Sequence, residues 1–432
     1  MEKIALIYRS HLSDWTSCRS ITRNLAQAYR LAFPKAEFRD IFCEAQVNPY
    51  VAIQTARTVS EFAPDLLVFI DHSPFPGTLL QALSQNIPKP PRIFVHVFGD
   101  FTLHAVQWVG CEQVLKALDV TFFCASEKQR QLIGSFVQGG AAQIRIAPFP
   151  VSTQEFRPSS SQARAGFRKQ AGVPAGDLVF LYTGRLSLQK NLILLIRSFG
   201  AYLRQIDPRA QLWLAGPMDD LGVPYLGKRC LSGTFSSDLL EAIRKTIPPE
   251  ASRQVRYFGD LQTEMLVQIY GAADFFISLS THNDEDFGMA PAEAACCGLP
   301  LILSDWGGYS SFSGVGTDAG LVARVPVRIE EKRVSPAFEG CVQAMIGMAA
   351  QAEKGFSRET LAKRAAEYLS ISSVAGVLKS EQQGRRDTKQ RFSGFSPLFR
   401  QVAQAFEAYP DSPFRSGTGY SALYRKVYEK YL

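Results

Sequence analysis

Glu285-Asp286-Phe287-Gly288-Met289-Ala290-Pro291-Ala292-Glu293-Ala294-Ala295-Cys296-Cys297-Gly298-Leu299-Pro300 is the stretch on which the fold turns. Gly288 lets the backbone approach a ligand closely, and Pro291 suits the first turn of a helix. Gly298 and Pro300 end that helix, after which Leu301-Ile302-Leu303 resumes as a strand. Glu285 is therefore expected on a loop ahead of the helix, and Glu293 in its first turn. The free N–H groups between them suit an anion such as a diphosphate, because a helix N-terminus is partially positive. By itself Glu293 is equally well a carboxylate favoured at a helix start, by about 0.3–1 kcal/mol.

Outward from this stretch the chain alternates short apolar runs with helical patterns. Leu178–Thr183, Gln211–Ala215, Val255–Phe258, Phe275–Leu279, Leu301–Leu303 and Leu321–Val325 read as strands in the second half. Ile4–Tyr8, Leu66–Ile70, Ile93–Phe98, Val120–Cys124 and Ile144–Ala147 do so in the first. Their scant polar alternation predicts strands buried on both faces of a parallel sheet. Ser126-Glu127-Lys128-Gln129 matches a capping box and starts a helix. Pro148, Pro150 and Pro158, then Ser159-Ser160-Ser161, break the pattern and mark a linker. The expected class is α/β: two doubly wound, Rossmann-like domains facing across a cleft, with chemistry just beyond the strand ends. The boundaries expected are 1–160 and 161–375, with 376–432 a helical extension packing back on the first domain.

The chain has 432 residues, more than one core usually serves. A hydrophobic share of 46% and a charged share of 20% exclude wholesale disorder. The net charge of +7 is too modest to call for nucleic acid; it fits an anionic small molecule or an acidic membrane surface. Eight cysteines show no C-x-x-C pair and read as reduced thiols of a cytoplasmic protein. The first residues turn polar too early for a signal peptide. No apolar run approaches the ~20 residues that span a bilayer. Arg385, Arg386, Lys389 and Arg391 make a solvated surface segment or a patch for peripheral contact with anionic lipid. Tyr420, Tyr424, Tyr428 and Tyr431 fall on one face of a terminal helix.

Two glutamates with seven residues between them, Phe-Gly after the first and Gly-Leu-Pro after the second, resemble the signature of retaining GT-B glycosyltransferases, in particular family four. Tyr182-Thr183-Gly184-Arg185-Leu186 with Gln189-Lys190-Asn191 resembles that family's Gly-Arg-Leu segment. Leu212-Trp213-Leu214-Ala215-Gly216, Val255-Arg256-Tyr257-Phe258-Gly259, Ala272-Ala273-Asp274-Phe275 and Ser304-Asp305-Trp306-Gly307-Gly308 follow in its order. The resemblance runs from about Leu178 to Val325.

It implies a hexosyltransferase with a nucleotide-diphosphate sugar as donor and a glycan, glycolipid or similar acceptor. Arg185 and Lys190 would stabilise the departing diphosphate. Glu285 would hold a donor-sugar hydroxyl, and Glu293 the ribose hydroxyls. Backbone groups at Gly184, Phe287, Gly288 and Met289 would line the donor site. No metal and no cofactor are expected, since fixed cations and the helix end supply positive charge.

The first domain departs from the family pattern. Arg9-Ser10-His11-Leu12-Ser13-Asp14-Trp15 has no glycine where a Gly-rich loop is usual, and Gly99-Asp100 stands where a His-Asp or His-Gly step is expected. Asp100 is the candidate there for sugar or acceptor hydroxyls, while His96 reads as a core histidine. Two motifs compete with these assignments. Asp284-Glu285-Asp286 is literally D-x-D, a metal and diphosphate ligand of another glycosyltransferase fold. Gly314-Val315-Gly316-Thr317-Asp318-Ala319-Gly320 misses dinucleotide spacing and reads as a loop. The alternative functions are a nucleotide-sugar-binding or regulatory subunit without transferase activity, a sugar-nucleotide epimerase, and a glycan phosphorylase, for whose pyridoxal lysine no motif calls.

Overall fold

The apolar runs become two parallel six-stranded sheets in the computed structural model of the chain. It describes residues 1–9, 16–43, 48–71, 77–86, 90–138, 143–228, 230–316, 321–384 and 392–432. The loop at 10–15, the segment 317–320 and the basic stretch 385–391 lie outside the described residues. The chain divides into two compact units. Unit 1 holds Met1–Pro150, Ser370–Pro413 and Ala422–Tyr431; unit 2 holds Val151–Leu369, Phe414–Ser421 and Leu432.

The sheet of unit 1 comprises β1 (Lys3–Arg9), β2 (Glu37–Cys43), β3 (Leu66–Phe69), β4 (Arg92–His96), β5 (Val120–Cys124) and β6 (Ile144–Ile146), in the order β2-β1-β3-β4-β5-β6. Strand β2 is the one the apolar pattern misses. It is an edge strand, and most of its polar positions face solvent, so no continuous apolar run announces it. At the helix Glu127–Phe136, Ser126 accepts the Gln129 N–H at 3.2 Å as the capping box predicts. The Gln129 side chain reaches one residue further back, taking the Ala125 N–H at 2.7 Å. It also donates to the Gly99 carbonyl at 3.1 Å, which ties down the turn after β4.

His96 ends β4 and is core, as the sequence suggests. Its Nε2 meets the Tyr29 hydroxyl at 2.8 Å, its ring stacks on Phe123, and burial pushes it down to about 3. Phe101 lies against Trp108 and, from the segment beyond residue 370, against Phe399. The tyrosine stripe is not one helical face. Tyr424 and Tyr428 are buried in the helix Ala422–Tyr428 and Tyr431 in the 3-10 turn after it. Tyr420 instead lies in the short strand Gly419–Tyr420 of unit 2. Its N–H bonds the Glu331 carbonyl at 2.7 Å, which commits it to extended backbone before the helix begins.

In unit 2 the strands are β7 (Val179–Thr183), β8 (Gln211–Ala215), β9 (Val255–Tyr257), β10 (Phe275–Ser278), β11 (Leu301–Ser304) and β12 (Val322–Val325). Their order is β12-β11-β10-β7-β8-β9. Alternate residues Phe180, Tyr182, Leu212, Leu214, Phe275 and Ile277 join one cluster with Leu195 and Phe199 of the helix Leu192–Gln205 and Met345 and Met348 of the helix Phe338–Glu353. Trp213 points the other way, against Phe167 and Phe258. Burial on both faces is what removed the polar alternation from these runs. Asp274, one residue ahead of β10, accepts from Arg164 at 2.6 Å, Arg168 at 2.7 Å and the Val179 N–H at 2.9 Å. It therefore clamps the amino ends of β7 and β10, at the far end of those strands from the site. No helix among the described residues is long and apolar enough to cross a membrane.

Candidate active site

The strand order of unit 2 reverses between β7 and β10, and an open α/β sheet leaves its crevice beyond the carboxyl ends of such a pair. Gly184, Arg185 and Lys190 follow β7; Glu285 and the helix Met289–Cys296 follow β10. The structure thus brings the second-half candidates to one place. Asp100 belongs to unit 1. Its carboxylate accepts the Thr102 N–H at 2.9 Å, capping the turn Phe101–His104, and also accepts from the Tyr428 hydroxyl.

Asn191 stitches the two loops together. It sits in the left-handed region at φ +55, and its side-chain amide donates to the Leu279 carbonyl at 2.8 Å and to Thr281 Oγ1 at 2.9 Å. The Thr281 N–H returns a bond to the Gln189 carbonyl at 2.9 Å. Held this way, Lys190 Nζ lies 2.5 Å from Glu285 Oε2, with both side chains largely buried. Burial works to raise the Glu285 carboxyl. The charge and hydrogen bond of Lys190, with a further bond from Ser280, outweigh it and hold Glu285 below the usual carboxylate range.

The same loop is fastened from β11. Ser304 Oγ donates to the Ser280 carbonyl, Trp306 Nε1 to the His282 carbonyl, and the Gly308 N–H to the Glu285 carbonyl at 2.7 Å. Gly308 has to be glycine. A Cβ there would lie 2.1 Å from the backbone carbon of Asp286 and the nitrogen of Phe287. Burial and then the charges of Lys190 and Arg185 push His282 down to about 3. Its Nδ1 accepts the Asp284 N–H at 3.2 Å, as a neutral ring should. Among the described residues no group of three or more His, Cys, Asp or Glu side chains is placed to hold a metal.

Arg185 is also paired. Its Nη1 lies 2.6 Å from Asp219 Oδ2, on the loop after β8, and the other Asp219 oxygen accepts the Leu221 N–H at 2.8 Å. Asp219 was not among the sequence candidates. The available signal was an acid three residues past Gly216, at the carboxyl end of the strand beside β7.

Pro291 stands in the first turn of the helix, as the sequence suggests, but as its third residue. Gly288, at φ +103, is the N-cap and Met289 the first helical residue, so Glu293 stands in the second turn and not the first. A Cβ on Gly288 would meet the Tyr309 ring at 2.5 Å, which fixes the residue type at the entry to the helix. Phe287 is fully buried against Phe312 and Met289 nearly so, which leaves their main chain as what they can offer a ligand. No side chain caps this helix. Glu293 Oε2 accepts the Tyr270 hydroxyl at 3.1 Å, and burial pushes its carboxyl up to about 8. Tyr270, too, went unnoticed in the sequence.

Two paired cations, two carboxylates and a helix without a side-chain cap thus gather beyond the carboxyl ends of β7 and β10, an arrangement able to receive a diphosphate together with the hydroxyls of two sugars. Residues 164–330 match the family of glycosyl transferases group 1. The likeness to that family is confined to this segment and takes in every second-half candidate.

A D-inositol 3-phosphate glycosyltransferase of Kineococcus radiotolerans is 30% identical over 233 residues, covering 53% of this chain and 50% of its own length. Its counterpart in Corynebacterium jeikeium is 27% identical over 199 residues, 46% and 44% of the two chains. The chain spans about half the length of the curated relatives it matches. Sucrose-phosphate synthase from Thermosynechococcus elongatus superposes with a TM-score of 0.61 at 17% identity, over 89% of this chain and 98% of its own. Anabaena HepE in complex with UDP and glucose gives 0.62 at 15%, over 89% and 100%. At these identities the likeness is one of fold, and the fold is GT-B.

Proposed function

We propose that the chain is a retaining, metal-independent glycosyltransferase that moves a hexose from a nucleotide-diphosphate sugar to a glycan, glycolipid or similar acceptor. The observation that carries this reading is that Arg185, Lys190, Glu285 and the helix Met289–Cys296 all follow the carboxyl ends of β7 and β10, where the strand order reverses. Breaking a bond to a diphosphate builds negative charge on the leaving group. Cations already oriented by Asp219 and Glu285 stabilise it without rearranging at the moment of reaction. Glu285, ionised and immobilised by Lys190, is suited to accept a bond from a donor-sugar hydroxyl, and Glu293 from the ribose. The main chain at Gly184 and from Phe287 to Met289 lines the sugar and phosphate. The departing phosphate oxygen takes the acceptor proton on the same face of the sugar, so the anomeric configuration is kept.

We assign Asp100 the task of shaping the turn after β4, in keeping with its cap and its bond to Tyr428. The complexes of HepE with UDP-glucose make uridine the first base to try. Contact with an anionic membrane surface belongs to the same proposal and is read by vesicle co-sedimentation.

The test is titration of the purified chain with UDP, GDP, ADP, CDP and dTDP, then donor turnover with the matching nucleotide sugars. Proton NMR of the first-formed anomer reads the stereochemistry. A retained anomer, with turnover indifferent to EDTA, is expected. An inverted product refutes retention, and loss in EDTA restored by a divalent cation refutes metal independence. Tight nucleotide binding without turnover on any donor would make the chain a binding subunit.

A further inference from the structure

We infer that Tyr270 is a positioning residue for the donor: its hydroxyl fixes Glu293 for the ribose and ties that carboxylate to the Gly184-Arg185 turn. The inference rests on the donor-site reading above and adds to it a residue outside every motif that suggested it.

Tyr270 lies in the last turn of the helix Thr263–Ala272 and is fully buried, with its ring against Phe156 and Phe276. Its hydroxyl is 2.6 Å from Thr183 Oγ1, 3.1 Å from Glu293 Oε2 and 3.3 Å from the Ala290 carbonyl. A phenol has one proton. Donated to the carboxylate, it leaves the phenol oxygen to accept from Thr183, which sets the direction Thr183 to Tyr270 to Glu293. Thr183 is the last residue of β7 and immediately precedes Gly184 and Arg185; Ala290 is in the first turn of the signature helix. One hydroxyl therefore joins both lips of the crevice.

Core packing alone asks less of this residue. A phenylalanine would fill the same space, and Thr183 alone would satisfy a buried hydroxyl. The bond to Glu293 engages one carboxylate oxygen and restrains a side chain with several rotatable bonds, so that the carboxylate meets the ribose hydroxyls in one orientation. Burial drives Glu293 up to about 8, and the Tyr270 bond works against that rise, keeping more of it ionised near neutral pH.

The experiment is titration of the wild type and Tyr270→Phe with UDP, 2′-deoxy-UDP and 3′-deoxy-UDP, or with the corresponding set for whichever base the nucleotide panel selects. Donor KM and kcat are measured from pH 6 to 9. Removing one bond of this kind should weaken the ribonucleotide about tenfold and the deoxy analogues less than twofold, so most of the discrimination for ribose hydroxyls is lost. Donor KM rises while kcat holds within about twofold, since the lost contact is made in ground and transition states alike. The pH at which donor KM improves moves upward in the variant. Thr183→Ser, which keeps the hydroxyl, behaves as wild type, and Thr183→Val shows part of the Tyr270→Phe effect.

Equal weakening of UDP and both deoxy forms, or an unshifted pH profile, overturns the positioning role. Normal wild-type binding with discrimination intact in Tyr270→Phe overturns this inference alone. A wild type that binds no nucleoside diphosphate overturns the donor-site reading and this inference together.

Discussion

Lys190→Met leaves Glu285 buried without its counter-charge, and the structure allows the consequence to be worked out. At 2.5 Å the pair has roughly 7 kcal/mol of gross attraction at an effective dielectric near 20. Most of that is offset by the cost of removing both groups from water. Removing one partner of a buried pair costs about 3–5 kcal/mol, because the other charge is then left uncompensated. Lys190→Met should therefore lower the local stability of unit 2 by about 3–5 kcal/mol at pH 8. Glu285→Gln should cost about 1–2 kcal/mol, since a lysine stem can redirect its ammonium to water. The double variant should recover to within about 1 kcal/mol of wild type, a coupling of about 3–7 kcal/mol.

The sign of the pH dependence is fixed as well. In wild type Glu285 is held below its ordinary value, so the pair contributes above the unfolded pKa and loses that contribution as pH falls through the folded one. In Lys190→Met, burial is opposed by little more than the Ser280 bond and raises the carboxyl. The defect should then shrink as pH is lowered from 8 towards 5 and Glu285 takes up a proton. Hydrogen exchange at the amides of β7 and β10 reads these differences as local unfolding free energies. Additive single variants, with a coupling under about 0.5 kcal/mol, would refute the reasoning, as would a defect indifferent to pH.

Three further outcomes are expected. Glu285→Ala should lower kcat far more than it weakens nucleoside diphosphate binding, whereas Arg185→Ala should harm both; near-normal turnover in the two variants would remove the assigned site. Gly308→Ala drives a methyl into the Asp286–Phe287 peptide and should cost at least about 1–3 kcal/mol, with loss of donor binding; calorimetric titration and unfolding together check it. His96 and His282, both pushed down to about 3, take up protons in the unfolded chain near 6.5 and in the folded chain only far below that. The contribution of these two rings should be level above pH 6.5 and fall from there towards pH 3, by up to about 1.4 kcal/mol per pH unit for each ring. A urea midpoint unchanged between pH 7.5 and 4 would contradict this.

Buried parallel strands announce themselves, and β2 shows the limit of that signal. Glu37-Phe38-Arg39-Asp40-Ile41 is a strand through its pairing with β1, at an edge where solvent tolerates its charges. The site divides in the same way. Arg185, Lys190, Glu285 and Glu293 could be named because local spacing and family resemblance mark them. That Lys190 meets Glu285 across ninety-five positions, and Arg185 meets Asp219, follows from which strands lie side by side, and no local pattern records it. Glu293 is expected in the first turn and stands in the second, because the left-handed Gly288 begins the helix at Met289, and no apolar or proline signal marks that start. Tyr270 was invisible for a plainer reason. A buried tyrosine near the end of an apolar helix looks the same whether or not its hydroxyl has work to do.

The interleaved membership of the chain has a consequence for how it is made on a ribosome. Unit 1 begins at residue 1 but also requires Ser370–Pro413 and Ala422–Tyr431, while unit 2 draws most of its length from one unbroken stretch. At about 5–20 residues per second, some 280 residues and roughly 15–55 s separate the emergence of Pro150 from that of Tyr431. Until Phe399 and Tyr428 emerge late in that interval, their seats on Phe101 and Asp100 stay empty, and nascent unit 1 should expose apolar surface. The half that starts first thus waits for chain made after nearly all of the other half, so the order of completion does not follow the order of translation.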